Sequence, residues 1–306
     1  MQELSFALGM PHLGRNNLSE SALFKTLGHD RWKQVEELGG IPTAQIRDDV
    51  GSRLYATFYF LELHLSPEKP LSAYGENDVL TFATDLFHYE KVYLDGRHVI
   101  VGQPGHWVRS SNVFIYQERG PSKLSVSVPA TMDFSQIPEL EDQPDSLDLC
   151  RQAKAKRVFW DPAPGDIPLF EGRKEYVYGI DTDRDLNGAG LVYFANFICF
   201  LDRAEREILS GLPDPIPVEL LDGRSSYRRR IGYYGNAQGT DRLHIFLAAR
   251  MNILPSGDGS GLLDLGMDYQ VRRSSDNKEI LISSCRKVAR FEKGSEGQRW
   301  AQARSR

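Results

Sequence analysis

Apolar positions along the chain follow a helical period in two long stretches. The first, LSESALFKTLGHDRWKQVEEL, begins at Leu18, and Ser19 and Glu20 form a favourable helix start. Its apolar stripe consists of Leu18, Ala22, Leu23, Leu27 and Trp32. The second, LVYFANFICFLDRAEREIL, begins at Leu191 and is apolar nearly all round in its first three turns. The pattern therefore predicts two helices, the second of them largely enclosed.

Most other segments alternate between apolar and polar residues or are rich in β-branched and aromatic residues, which is typical of strands. The first half contains SRLYATFYFLELHL, DVLTFATDLFHY, KVYLDGRHVIVG, HWVRSSNVFIYQ and KLSVSVPA. The second half contains SSYRRRIGYYGNA, DRLHIFLAAR, DLGMDYQVRRSS and EILISSCRKVARF. Each half thus runs from a turn-rich lead through one helix into several strands, which predicts a repeat of architecture.

An acidic, proline-rich segment from about Asp133 to Pro168 separates the two halves. It predicts a first unit at 1–135, a linker at 136–168 with a short helix near Ser146–Ala155, and a second unit at 169–306. An antiparallel sheet with one apolar face can curl around its own helix, and two such units can join edge to edge. The predicted fold class is therefore α+β, with the arrangement known as a double hot dog.

Composition narrows the possible functions. The chain has 306 residues, of which 41% are hydrophobic and 26% charged, and a formal net charge of −5. This balance is ordinary for a globular protein and lacks the basic surface expected of a nucleic-acid partner. No apolar run is long enough to span a membrane, and the N-terminus lacks the pattern of a secretory signal. Three distant cysteines predict neither disulfides nor a metal site, so we expect a reduced, cytoplasmic protein without a cofactor.

The stretch DLNGAGLVYFANF, residues 185–197, is the best candidate for chemistry. Gly188 and Gly190 allow a tight turn in which backbone N–H groups can approach a ligand closely. The helix that follows offers unpaired N–H groups and a partial positive charge. A thioester carbonyl placed there would find donors for the negative oxygen of acyl chemistry. A capped turn before a helix, with Asn187 or Asp185 as the cap, explains the same residues without a ligand.

NGAGLVYFANF resembles the DPAGIVYFPNY-type motif of thioesterases with the hot-dog fold. In that family the acid that opens the motif is the catalytic carboxylate, and the matching position here is Asn187. An amide cannot act as a carboxylate nucleophile or base, but it can donate a hydrogen bond to an oxyanion. The resemblance therefore implies thioester chemistry, and the substitution disfavours simple hydrolysis.

The whole chain is similar to the bifunctional acyltransferase/decarboxylases of leinamycin-type polyketide biosynthesis. The similarity is carried by GMPHL, SRLYATF, DLNGAGLVYFANF and the total length. It implies decarboxylation of methylmalonyl-CoA and transfer of the propionyl group to the phosphopantetheine arm of an acyl carrier protein. It also implies an essential tyrosine, which by position is Tyr55. Tyr59 is the rival, because it lies four residues further along the same sheet face.

The predicted catalytic residues are Tyr55, Asn187, Gly190 and Leu191. Whether the tyrosine accepts the acyl group or donates a proton to the enolate stays open, and so does a purely structural role as a packed strand aromatic. Arg53 shares the strand face of Tyr55 and could lower its pKa.

Further residues are candidates for substrate binding. Arg228 and Arg230 share one strand face and suit coenzyme A phosphates or an acidic carrier protein, although charged strand faces are usually just solvated. His12 and His106 follow turns and could donate protons, although single histidines are more often structural. Ser111 could bind a carboxylate. The full set is Gly188, Tyr193, His12, His106, Ser111, Arg228 and Arg230.

Two other functions stay open at this point. One is a thioesterase or dehydratase on the same fold, although no clear pair of histidine and acid marks a dehydratase. The other is a non-catalytic protein that binds acyl thioesters. An exposed strand edge in each double unit makes a homodimer plausible.

Overall fold

The structure is a computed structural model that describes residues 2–118, 123–255 and 260–304. Its strands are β1 (Gln2–Ala7), β2 (Leu13–Gly14), β3 (Asn17–Leu18), β4 (Tyr55–His64), β5 (Val79–Tyr89), β6 (Tyr93–Ile100), β7 (Trp107–Gln117), β8 (Leu124–Val126), β9 (Ile167–Pro168), β10 (Lys174–Gly179), β11 (Ser225–Tyr233), β12 (Arg242–Pro255), β13 (Gly261–Arg273) and β14 (Glu279–Phe291). Its helices are α1 (Glu20–Gly39), α2 (Asp145–Lys156), α3 (Thr182–Asp185), α4 (Asn196–Ser210), α5 (Val218–Gly223) and α6 (Glu296–Arg304).

Twelve strands form one antiparallel sheet, in which ten follow the order β1-β5-β6-β7-β4-β11-β14-β13-β12-β10. The order in the second half mirrors that in the first about the β4–β11 junction. At this junction Phe60–His64 pair with Arg228–Gly232. The predicted double hot dog, with two units joined edge to edge, is confirmed. Strands β1 and β10 form the two ends of this path, and pairing between chains through them stays a prediction.

Helix α1 forms where the apolar stripe predicts it. The Ser19 side chain accepts a hydrogen bond from the N–H of Ala22, which makes Ser19 the N-cap. Gly40 ends the helix in the left-handed conformation, with φ of 64°. The buried face includes Leu23 and Leu27, so the helix lies against the inner side of the first half-sheet.

Helix α4 begins at Asn196, five residues later than the apolar pattern predicts. The chain before it is held extended, because Val192 pairs with Leu186 and the N–H of Tyr193 donates to the carbonyl of Asp185. The helix itself is buried over Phe197 and Ile198, as predicted, but Cys199 is exposed. Tertiary hydrogen bonds therefore override the helical pattern over the first turn.

The hydrophobic core is shared between the halves. One cluster contains Leu23 and Phe58 from the first half together with Phe197 and Ile231 from the second. On the outer face of the sheet, Tyr59 and Phe60 belong to a separate cluster that α2 covers. Helix α2 confirms the short helix predicted within the linker.

The three cysteines are all free, as their spacing predicts. No helix in the described part of the chain is long and apolar enough to cross a membrane.

Candidate functional site

The two halves of the sheet separate at one end of their junction. Pairing between β4 and β11 ends at Phe60 and Gly232. Beyond that pair, Thr57–Tyr59 and Tyr233–Asn236 form the two sides of a cavity of about 170 Å³. A β-bulge between Phe58 and Phe60 inserts Tyr59 as an extra residue in β4. The bulge places Phe60 on the outer face next to Tyr59, while Phe58 packs on the inner face.

This inner cavity is mainly aromatic and aliphatic. Its lining residues are Thr57, Phe58, Tyr59, Val113, Ile115, Leu124, Val126, Phe194, Tyr233, Tyr234, Gly235 and Asn236. They supply tyrosine and threonine hydroxyls and one amide, but no carboxylate, imidazole or thiol. The cavity can therefore bind a small ligand and donate hydrogen bonds to it, but none of its side chains is an ordinary general base.

A second, outer cavity of about 540 Å³ continues from the inner one. The two share Tyr59, Tyr233 and Tyr234, together with two valines, so they form one channel. Helix α2 forms the outer wall, where Arg151 and Lys154 are exposed. The Lys154 ammonium lies 5.4 Å from the centroid of the Tyr234 ring. Glu90 lines the same cavity and Arg151 pairs with Asp148 at 2.6 Å, so the channel leads from a charged rim to an apolar interior.

A chain of hydroxyl groups fixes Tyr59, which is only 7% exposed. Its hydroxyl and that of Ser146 on α2 are 2.7 Å apart. The Ser146 oxygen lies 3.4 Å from that of Ser111, and Ser111 donates to Asp95 at 2.7 Å. Burial raises the pKa of Tyr59 above its ordinary value of 10, so its phenol stays protonated at neutral pH.

The segment just before α4, at Phe194, forms the inner wall of the cavity. The Tyr233 hydroxyl donates to the carbonyl of Phe194 at 3.0 Å, and Ser21 of α1 donates to that of Ala195 at 3.1 Å. The Asn236 side chain accepts from the N–H of Val192 at 3.0 Å and donates to its carbonyl at 3.1 Å. These bonds hold the Phe194 ring against the ring of Phe58 from the first half, and the two ring centroids are 4.2 Å apart.

The glycine turn that the sequence marks for chemistry is closed by its own asparagine. The Asn187 Oδ1 atom accepts from the N–H groups of Ala189 at 2.9 Å and Leu191 at 3.2 Å. The Asn187 carbonyl accepts from Gly190, whose φ of 72° requires glycine. Two amides expected to stabilise an oxyanion, those of Gly190 and Leu191, are therefore bonded to Asn187 itself. The turn, Gly188 included, precedes the helix and lines neither cavity of the channel.

Tyr55 lies on the same sheet face as Tyr59 but outside the channel. The guanidinium carbon of Arg53 lies 4.8 Å from the centroid of its ring, as their shared face predicts. Tyr55 lines two other cavities, one shared with Ser52 and Gln117, the other with residues of α1. Neither contains Asn187, so the structure does not bring these two predicted catalytic residues into one cavity.

Both candidate histidines make local structural contacts. His106 accepts from the N–H of Ser66 at 3.2 Å, and its other ring nitrogen lies 2.9 Å from the Tyr74 hydroxyl. Burial lowers the pKa of His106. His12 accepts from the N–H of Gly9 at 3.1 Å and closes the turn before α1.

The remaining candidates are distributed around the sheet. Arg228 and Arg230 share the outer face, as predicted, where both lie against the ring of Trp160. Arg230 also pairs with Glu62 at 2.6 Å. Tyr193 is half-buried beside Phe194, with ring centroids 4.7 Å apart, and burial raises its pKa. Of all these candidates, Ser111 alone is linked to Tyr59, through Ser146.

Sequence reasoning missed the side of the channel formed by Tyr233, Tyr234 and Asn236. Their signal is the YYGN segment, in which a strand with two adjacent aromatic residues ends in a glycine–asparagine turn. No group of three or more His, Cys, Asp or Glu residues is placed to bind a metal ion within residues 2–118, 123–255 and 260–304.

No protein-family model and no curated protein matches this sequence. Solved structures do match it over nearly the full length. A candidate oleoyl thioesterase from Lactobacillus plantarum aligns with a TM-score of 0.59 and 12% identity, covering 95% of this chain and 96% of that chain. An acyl-ACP thioesterase from Bacteroides thetaiotaomicron aligns with a TM-score of 0.51 and 13% identity, covering 95% and 97%.

The 12:0-ACP thioesterase from Umbellularia californica aligns with a TM-score of 0.50 and 10% identity, covering 94% of this chain and 96% of that chain. Identities this low establish the fold alone. The chain is a double hot-dog protein, and it shares this fold along its length with solved acyl thioesterases.

Proposed function

We propose that this protein decarboxylates a small malonyl-type thioester, methylmalonyl-CoA, and transfers the resulting propionyl group to an acyl carrier protein. The observation that carries the proposal is the inner cavity, which offers apolar walls and hydroxyl groups but no ordinary base. Hydrolysis needs a base to activate water, whereas decarboxylation of a malonyl-type thioester does not.

In the proposed first step, the bond between the α carbon and the carboxylate breaks and carbon dioxide leaves. The electron pair of that bond forms the enolate of the thioester. Apolar walls such as Phe58 and Phe194 remove water from the carboxylate, and the Thr57 and Tyr59 hydroxyls can donate to the enolate oxygen.

The enolate then takes a proton at its α carbon. We assign this proton to the Tyr59 hydroxyl, because its raised pKa keeps it protonated and a poor nucleophile. Water in the outer cavity returns the proton to the phenolate. Tyr55, the position that the resemblance implies, lines neither cavity of the channel.

The size of the cavity supports a short acyl group. At about 170 Å³, the inner cavity is the smaller part of the channel, since the outer cavity measures about 540 Å³. The interior under α1 is filled by Arg31, which is fully buried and donates to Asn112 at 3.2 Å and Ser110 at 3.0 Å. A long apolar chain that extended from the cavity towards α1 would therefore meet the buried guanidinium of Arg31.

In the second step, the thiol of the carrier's phosphopantetheine attacks the propionyl carbonyl and the coenzyme A thiol leaves. Arg151 and Lys154 at the rim of the outer cavity suit the phosphates of both thiols. The thioester bond to coenzyme A breaks and the thioester bond to the carrier forms, so no further reactant is needed.

A thioesterase is the second candidate, because the solved structures with this fold include proteins named as acyl thioesterases. One experiment separates the two functions. The purified protein is incubated with methylmalonyl-CoA and a phosphopantetheine-bearing carrier protein, and the carrier is read by intact mass. Propionyl-carrier supports the proposal, whereas free acid with unloaded carrier would establish hydrolysis. Unchanged substrate that nevertheless binds would identify a non-catalytic binding protein.

A further inference from the structure

A separate cavity, of about 440 Å³, lies at the start of α1, and we call it the α1 cavity. In the repeated architecture, this cavity occupies the position in one half that the inner cavity occupies in the other. The inner cavity lies between the start of α4, the first residues of β4 and the end of β11. The α1 cavity lies between the start of α1, Leu71 beyond the end of β4, and Ser225 and Ser226 at the start of β11.

The α1 cavity is ionic where its counterpart is aromatic. Its charged lining residues are Arg15, Glu20, Asp202, Arg203, Arg206, Asp222, Arg224 and Lys287. Five of these are cations and three are carboxylates. Two of the cations, Arg224 and Lys287, have side chains that are no more than 8% exposed. Buried cations in a cavity indicate a site for an anion, unless neighbouring acids balance them.

The acids around the cavity are shared between cations. Asp222 pairs with both Arg15, at 3.0 Å, and Arg206, at 2.7 Å. Glu205, behind the wall, pairs with both Arg224 and Lys287, and Lys287 also pairs with Asp202 at 2.7 Å.

One further cation, Arg229, lies behind the cavity. Arg203 pairs on the exposed side with Glu207 of its own helix. Arg229, fully buried behind the cavity, pairs with Glu20, but its Nη2 atom has no hydrogen-bond partner and lies 3.6 Å from Asp202. With Arg229, Glu205 and Glu207 included, six cations and five carboxylates surround the cavity, so positive charge exceeds negative charge by one.

We propose that the α1 cavity binds the phosphoryl group of a small phosphorylated molecule. Arg15, Arg203 and Arg206 line it with side chains that are 70%, 60% and 38% exposed, so a ligand can reach them. Guanidinium groups match phosphate oxygens in pairs, and each of these three uses one nitrogen in its ion pair. The positive end of α1 adds to the attraction.

Alkylation of Cys199 can report on ligand binding to the α1 cavity. Cys199 lines it and is exposed, whereas Cys150 and Cys285 are buried. The rate at which uncharged iodoacetamide alkylates Cys199 is measured by peptide mass spectrometry at increasing concentrations of inorganic phosphate, pyrophosphate or adenosine 3′,5′-bisphosphate. We expect saturable protection that weakens with added salt. Equal protection by all three probes indicates free phosphate as the ligand, and preference for the bisphosphate indicates a nucleotide.

Three variants make the test specific. The double variant Arg15→Gln/Arg206→Gln leaves Asp222 without either partner, so the protecting concentration should rise at least about tenfold. Asp222→Asn removes the competing carboxylate and should lower that concentration. Arg290→Gln, an exposed arginine on β14, should change nothing.

Protection that is absent with every probe, or unchanged in the double variant, would overturn the proposal. None of these readouts depends on decarboxylation, so the result is independent of the proposed function.

Discussion

Tyr59 and Tyr55 differ in one respect that matters for catalysis, although they lie on the same face of β4. Tyr59 lines the channel and its hydroxyl lies next to Ser146, whereas Tyr55 lies beside Arg53 at the far end of the strand. Position along the strand thus decides which of the two tyrosines can reach a ligand in the channel.

Replacing Tyr59 by Phe removes only the hydroxyl group. We expect the rate of carbon dioxide release from methylmalonyl-CoA to fall by roughly 10²–10⁴-fold, the range for loss of a positioned proton donor. Tyr55→Phe is the comparison and should retain most of the activity. Steady-state rates of both variants check this, and the reverse order would assign the role to Tyr55.

The glycine turn makes a separate prediction about stability. Gly190→Ala should destabilise the protein by roughly 1–2 kcal/mol, because alanine is strained at a φ of 72°. Gly188→Ala is the control and should change stability by less than about 0.5 kcal/mol, since a Cβ there meets no atom within 4 Å. Urea denaturation measures both, and equal effects would contradict the described turn.

At the scale of elements, Glu205 connects α4 to the sheet. It pairs with Arg224 before β11, accepts from Tyr269 of β13 at 2.7 Å, and pairs with Lys287 of β14 at 2.7 Å. Burial alone would raise the pKa of Glu205, but Arg224 and Lys287 outweigh this and hold it at about 2. The carboxylate is therefore ionised in the folded protein.

This depressed pKa predicts how stability depends on pH. Because the folded value of about 2 is below the ordinary 4.5, the stabilisation is complete above pH 4.5 and is lost as the pH falls towards 2. Glu205→Gln leaves two cations without their partner, so it should lower the free energy of unfolding by roughly 3–5 kcal/mol at pH 7. The fall in stability between pH 4.5 and pH 2 should also be smaller in this variant than in wild type. Glu207→Gln, exposed on the same helix, is the control. Urea denaturation between pH 2 and 7 would show parallel curves for wild type and Glu205→Gln if the account were wrong.

At the scale of the whole molecule, the halves are expected to unfold together. The sheet is continuous through β4 and β11, the largest core cluster includes residues from both halves, and Glu20 of α1 pairs with Arg229 of β11. Calorimetry should give one transition with equal calorimetric and van't Hoff enthalpies. Two resolved transitions would show that the halves are independent.

The sequence was enough to predict the repeated architecture, α1 with its cap, and the linker helix, because each depends on local pattern. It could not predict the start of α4, since Asn236, which holds Val192, is 44 positions away. The pairing of Glu20 with Arg229 spans 209 positions. Nor does the sequence show that pairing between β4 and β11 ends at Phe60 and Gly232, which is why Tyr59 and YYGN were not identified as one site.

The central claim is that chemistry takes place in the cavity between Thr57–Tyr59 and Tyr233–Asn236. The most direct test measures carbon dioxide release from methylmalonyl-CoA by two variants that fill different cavities. Thr57→Phe fills the inner cavity and should abolish release, whereas Gln117→Phe fills the cavity beside Tyr55 and should leave release unchanged. Loss of activity in Gln117→Phe with full activity in Thr57→Phe would contradict the account.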